Sequence, residues 1–306
     1  MRKFEETLQI SVRNLQSFGR LYFTPKQLFY EFCRVERLPF GIEPKTAALL
    51  FGASIIPASF SRKNKLNILL ASGLILGGLA LLRKTPHTLP TPVWWNEFKF
   101  ELEKYLQHHE IEGLLQIEEK VEFANNFPAD LTLYGLPKIL ICETDEIAQM
   151  LRANQFHLQT PCAVLSLAEA QPITKVFTKM LERAEKPQVY FLHNASAKSF
   201  SLIADLRQTL KLKDEIPLRV LGLRPVHAKR LHLFDQKTQN KQIESFADFS
   251  GLDEREKRWL KDGFEAEIAA ISPIRLMRVL RRLILGLEIP PNEWQIQLPN
   301  KNLGFM

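Results

Sequence analysis

A chain of 306 residues with 45% hydrophobic and 25% charged residues has the ordinary composition of a folded protein, with room for one large unit or two modest ones. The net charge of +7 invites a nucleic-acid partner, but residues 1–88 carry 13 Lys/Arg against 5 Asp/Glu and residues 89–306 carry 28 against 29, so the larger part is nearly neutral. Cys33, Cys142 and Cys162 are odd in number, far apart and without a CxxC pair, which excludes a disulfide framework and fits a reducing compartment.

The first residues, Met1 to Glu6, lack the apolar core of a signal peptide. Thr24-Pro25-Lys26-Gln27 reads as a helix start: Thr24 caps, Pro25 suits the first helical position, and Gln27 completes a capping box. This helix carries Leu28, Phe29, Phe32 and Val35 and ends near Leu38-Pro39.

Two uncharged apolar runs follow, Thr46–Phe60 and Leu66–Leu82, joined by Ser61-Arg62-Lys63-Asn64-Lys65. A spanning helix needs about 20 apolar residues, so the pair predicts a membrane hairpin with Leu49, Phe51, Ile55, Leu69, Leu74 and Leu79 facing lipid. Gly73-x-x-x-Gly77 is a small-residue spacing suited to close helix contact in a bilayer. A soluble helical hairpin and a re-entrant one are the other readings of these runs. Arg34, Arg37, Lys45, Arg83, Lys84 and Lys99 on the terminal side outnumber Arg62, Lys63 and Lys65 in the loop, which places both termini in the cytoplasm. The basic excess of residues 1–88 then faces anionic headgroups.

Pro86, Pro90 and Pro92 form a stiff connection, and Trp94 and Trp95 suit either a membrane interface or a core. Trp94–His109 reads as a helix. Across 131–225, apolar strands at Lys138–Cys142, Cys162–Ser166, Val189–Leu192 and Leu218–Gly222 alternate with helices at Asp145–Asn154, Ile173–Ala184 and Ser199–Leu210. That alternation predicts a parallel α/β sheet with right-handed crossovers. Residues 253–288 read as helical. From Arg275 to Leu287, Leu276, Met277, Val279, Leu280, Leu283, Ile284 and Leu287 share one side, and Arg275, Arg278, Arg281 and Arg282 share the other. Such a helix either lies on a membrane or partner, or packs on the domain with a solvated arginine face. The organisation expected is an N-terminal helical segment (1–45), a transmembrane hairpin (46–82), a proline-rich linker and helix (83–130), an α/β domain (131–235), and a helical C-terminal extension with a tail (236–306).

Glu143 ends the first strand of the sheet, and Asn194 and Ser196 follow the third. Ligands of open parallel sheets gather at these carboxyl ends. The order and spacing of Glu143, Pro161–Leu165, Val189–Ser196 and Leu221–Pro225 resemble the Toprim domain, more narrowly the A subunit of type IIB topoisomerases. The resemblance covers about Leu136 to Pro225. It implies a Toprim-like sheet and a Mg²⁺ site of one Glu and an Asp-x-Asp pair, with the metal stabilising charge on a DNA phosphate. Glu143 stands at the Glu position, but Asn194-Ala195-Ser196 stands at Asp-x-Asp and Ser199 at the following Gly. Two anionic ligands are thereby neutral, which points away from an enzyme. An alternative role for Glu143 is to cap the helix that follows it. Lys26-Gln27-Leu28-Phe29-Tyr30 resembles the family's nucleophile motif and would place Tyr30 as the nucleophile, although the hairpin then separates Tyr30 from the sheet.

There is no Gly-rich phosphate loop, and His109-Glu110, His227 and His232 lack partners at metal-ligand spacing. The leading expectation is a membrane-anchored, non-catalytic Toprim-like binding or scaffold protein that contacts lipid and a protein partner. The alternatives are a membrane-tethered, Mg²⁺-dependent DNA-cleaving or phosphoryl-transfer enzyme using Tyr30 and Glu143, with nucleic acid as its partner, and a structural membrane protein.

Overall fold

The computed structural model describes residues 2–16, 19–37, 89–116, 136–170, 176–237 and 251–287. The expected hairpin over 46–82, with Leu49, Phe51, Ile55, Leu69, Leu74 and Leu79, lies outside the described residues. Among those described, no helix is long and apolar enough to cross a membrane.

The centre is a four-stranded, all-parallel sheet of β2 (Lys138–Cys142), β3 (Cys162–Ser166), β4 (Gln188–His193) and β5 (Leu218–Gly222), in the order β3-β2-β4-β5. Continuous apolar strands are what a sheet covered on both faces requires. The two-residue side-chain period splits them between two cores. Ile139, Ile141, Ala163, Leu165, Val189 and Phe191 face α6 (Val176–Arg183) and α7 (Ala197–Thr209). Leu140, Cys142, Val164, Tyr190, Leu192 and Leu221 face the larger core. Each fully buried Leu, Ile or Val contributes about 1.5–3 kcal/mol from desolvation.

That larger core is built from both ends of the chain. α1 (Arg2–Gln16), α2 (Pro25–Arg37) and α3 (Trp95–Leu106) supply Leu8, Phe29 and Phe98. α4 (Asp145–Ala153) and the short α5 (Phe156–Gln159) join β2 to β3 across the same face and add Met150, Leu151 and Phe156. Past β5 come α8 (Pro225–Arg230), β6 (Phe234–Lys237), α9 (Glu254–Lys261), β7 (Phe264–Glu265), a 3₁₀ turn (Ile268–Ala270) and α10 (Pro273–Leu285). Tyr30 is buried in this core together with Leu140, so the expected separation of Tyr30 from the sheet is corrected: α2 packs onto the sheet's own core through apolar contact.

The helical reading of 253–288 holds for two helices, with an interruption between them. Gly263, at φ +80°, ends α9 in a conformation that favours glycine, and Pro273 opens a new helix. Between them Phe264–Glu265 pairs antiparallel with Gln236 and Lys237. The two tryptophans part company: Trp95 stacks near Phe98 and meets Phe29 edge-on, whereas Trp94 is 76% exposed.

The chain borders residues 38–88 from one neighbourhood. Tyr30 stacks on Phe234 at 6.1 Å, and Phe234 is the register partner of Leu89 in β1 (Leu89–Pro90). Arg37, the last residue of α2, lies about 10 Å along the helix from Tyr30 at 1.5 Å per residue.

The capping box forms as the sequence predicts. The Gln27 N–H donates to Thr24 Oγ1 at 3.1 Å, and the Thr24 N–H donates to Gln27 Oε1 at 3.0 Å. Thr24→Ala is expected to lower the unfolding free energy by about 1 kcal/mol, read as a lower urea midpoint at constant slope; an unchanged midpoint would mean that the box contributes nothing.

Candidate functional site

In the order β3-β2-β4-β5 the chain reverses direction between β2 and β4, because β3 is added on one side of β2 and β4 and β5 on the other. This switch point is where an open parallel sheet leaves a crevice at its carboxyl edge. Glu143 follows β2 there and Asn194 follows β4. The structure therefore brings together Glu143, Asn194 and Ser196, with Ser199 one turn into α7.

Glu143 does not cap the helix that follows it. Thr144 is the N-cap of α4 and makes no side-chain capping bond. The Glu143 N–H donates to Leu192 O at 2.9 Å, extending the ladder and turning its side chain across to β4. There Oε2 accepts the Asn194 N–H at 2.8 Å, and both carboxylate oxygens lie 2.8 Å from Ser199 Oγ. Ser199 Oγ has one proton and gives it to Glu143, so Ser196 Oγ donates to Ser199 Oγ at 2.7 Å. Ser196 Oγ in turn accepts the Ser199 N–H at 3.1 Å and caps α7. Burial pushes the Glu143 carboxyl up, against the pull of the Asn194 N–H, the Ser199 hydroxyl and Lys198.

The crevice itself is filled by the chain. Ala195 and Ala266 exchange backbone hydrogen bonds at 2.9 and 3.0 Å, and Asn194 Oδ1 accepts the Ile268 N–H at 2.8 Å. What remains, lined by Cys142, Glu143, Thr144, Ile147, Leu192, Asn194 and Ile268, is too tight for a water molecule. Nor does the donor set fit the Mg²⁺ that the resemblance implies: one carboxylate is present, its oxygens and Asn194 Oδ1 already accept protons, and among the described residues no three His, Cys, Asp or Glu side chains converge.

Tyr30 lies elsewhere on the same layer. It is 1% exposed, its hydroxyl accepts from Gln236 Nε2 at 3.0 Å, and burial together with Glu267 raises its pKa well above the usual value. A phenol so held is protonated at neutral pH and closed to a bulky substrate. Glu267 was not singled out by any sequence pattern, yet it is the common neighbour: it pairs with Lys26 at 2.5 Å and its charge is felt at Glu143 and Glu146. Burial works against the Lys26 ammonium, but Glu267, Glu146 and Glu265 outweigh it and raise its pKa.

Two partly buried ion pairs have no signature in the sequence either. Arg152 Nη1 lies 2.8 Å from both oxygens of Glu169, which also accepts the Ser166 N–H at 2.6 Å, and Arg224 pairs with Glu256. Neither pair has helical spacing that would announce it. His193 and His227 are buried neutral, with pKa values lowered to about 4, in each case first by burial. His193 Nδ1 lies 2.7 Å from Asn194 O, and a Cβ on Gly222 would stand 2.4 Å from His193 O, which explains the glycine.

A histidine whose folded pKa lies below its usual 6.5 contributes stability present above pH 6.5 and lost as pH falls toward about 4. The stability advantage of the wild type over His193→Phe is therefore expected to shrink between pH 7 and 4, by about 3 kcal/mol at most. Glu143 and Glu146, whose raised pKa values act in the opposite sense, are common to both proteins and cancel in the difference. Urea titrations at several pH values measure it, and a pH-independent gap would show that His193 is not held neutral. Comparison with family models, with curated proteins and with solved structures finds no match to this chain.

Proposed function

We infer that this is a membrane-anchored, non-catalytic Toprim-like binding or scaffold protein. The observation that carries the non-catalytic part is the occupation of the switch point by the chain's own Ala266–Ile268 segment, which bonds to Ala195 and Asn194 where a ligand of such a sheet would sit. A four-stranded parallel sheet with Glu143 after β2 supports the Toprim-like reading, and the neutral Asn194 and Ser196 support its degeneracy. The anchor is supported by the uncharged runs of 46–82 and by the shared neighbourhood of Tyr30, Phe234 and Leu89 on either side of residues 38–88, since a hairpin returns the chain to the side it left. Binding rather than chemistry is the role left to a sheet whose carboxyl edge is already closed.

Two measurements test this reading. The full chain is expected to stay in the membrane pellet under alkaline carbonate; release into the supernatant would remove the anchor. Millimolar Mg²⁺ is expected to produce no Glu143-dependent binding signal in calorimetry. Tight binding that disappears in Glu143→Gln, or metal-dependent nicking of DNA that disappears in Tyr30→Phe, would replace the scaffold with the enzyme.

A further inference from the structure

We propose that the arginine face of α10 docks on anionic lipid headgroups at the membrane surface beside the hairpin. The proposal rests on the anchored reading above and adds a second, electrostatic contact to it.

α10 has committed its apolar side to the core: Leu276, Met277, Val279, Leu280 and Ile284 are all buried. The opposite side presents Arg275, Arg278 and Arg281 to solvent, with Arg282 half-buried at their flank. No acidic residue stands anywhere between Pro273 and Leu287, so no negative charge interrupts the basic run along the helix. The surrounding part of the chain, residues 89–306, has 28 Lys/Arg against 29 Asp/Glu, so the stripe is a local segregation of charge and not a share of general basicity. Guanidinium groups match phosphate oxygens in paired hydrogen bonds, and a row of them suits a plane of phosphates.

The fold also fixes where the stripe is. Gln27 Nε2 donates to Ile271 O at 3.3 Å, and Arg34 donates to Ala270 O. Both contacts tie α2 to the residues immediately before α10. The arginine stripe therefore begins beside the helix from which the chain departs at Arg37. The stretch between Leu82 and Leu89 is short, and at about 3.5 Å per residue it spans roughly 25 Å at most. A bilayer occupied by the hairpin thus keeps its headgroups within roughly 25 Å of the body, a permanently high effective concentration of phosphate. Nucleic acid offers phosphates as well, but no feature among the described residues holds it within reach in this way.

The test uses the full-length chain in lipid nanodiscs. A fluorophore on Leu287→Cys, selective because Cys33, Cys142 and Cys162 are buried, reports short-range quenching by nitroxide on the headgroups. Strong quenching is expected in discs containing phosphatidylserine and little in discs of phosphatidylcholine alone. In the triple variant Arg275→Gln, Arg278→Gln, Arg281→Gln, the ratio of docked to undocked protein should fall by about 100-fold, and 0.5 M salt should act in the same direction. Glutamine preserves helix propensity, and unchanged urea unfolding verifies that the variant is folded. Equal quenching in both lipids, or quenching retained in the triple variant, would overturn the proposal. Tight duplex-DNA binding lost in the triple variant, with no lipid dependence, would reassign the stripe to nucleic acid and overturn it equally. Carbonate resistance of the wild type reports on the anchor separately. If the chain is extracted, the anchored reading fails by itself, and flotation of the extracted chain with phosphatidylserine vesicles, lost in the triple variant, would still support lipid docking, whereas no flotation would end it.

Discussion

The carboxyl edge of the sheet depends on Asn194, which holds three parts of the chain at once. Its N–H goes to Glu143 after β2, its side-chain oxygen takes the Ile268 N–H from the C-terminal extension, and its carbonyl lies 2.7 Å from the His193 ring. An acidic residue here would set a second carboxylate beside the half-buried Glu143, and the repulsion between them would oppose ionisation of both. The neutral amide satisfies the carboxylate on one side and a backbone donor on the other. That pair of contacts is what joins the edge to the C-terminal segment.

Closure has consequences through the rest of the fold. Once Ala266 is paired with Ala195, the following 3₁₀ turn is fixed, and Ile271 and Ala270 become acceptors for Gln27 and Arg34 of α2. The N-terminal helices are thereby set on the sheet, with Tyr30 buried between Phe29 and Phe234. Lys26 and Glu267 add an ion pair at the same junction, in a site half-enclosed enough for Glu267 to help raise the Lys26 pKa. The two ends of the sequence and the middle of the sheet share one core for this reason.

Much of this was legible in advance. The four strands stand out as apolar runs because a sheet covered on both faces has no polar positions to spare, and the Thr24 box and the two-sided helix of Pro273–Leu285 follow from local spacing alone. Three features were not legible. The break at Gly263 is a single residue inside a pattern of helical period. Glu143 reaches Ser199 across 56 positions, and Lys26 reaches Glu267 across 241, so no window of the sequence contains either pair. Along the chain the N–H groups nearest Glu143 are those that open α4, but its carboxylate takes the Asn194 N–H and the Ser199 hydroxyl of the β4–α7 turn instead.

By itself the sequence determined the class of the sheet, the identity of its edge residues, the charge asymmetry between residues 1–88 and the remainder, and the uncharged runs of 46–82. These are properties of composition and period, written within ten or twenty consecutive residues. Only the tertiary structure decided that the switch point is filled by Ala266–Ile268, that Tyr30 is a core residue, and that α10 turns its arginines outward. Those outcomes depend on which distant surfaces bury one another, and burial is a property of the whole fold that local spacing does not encode.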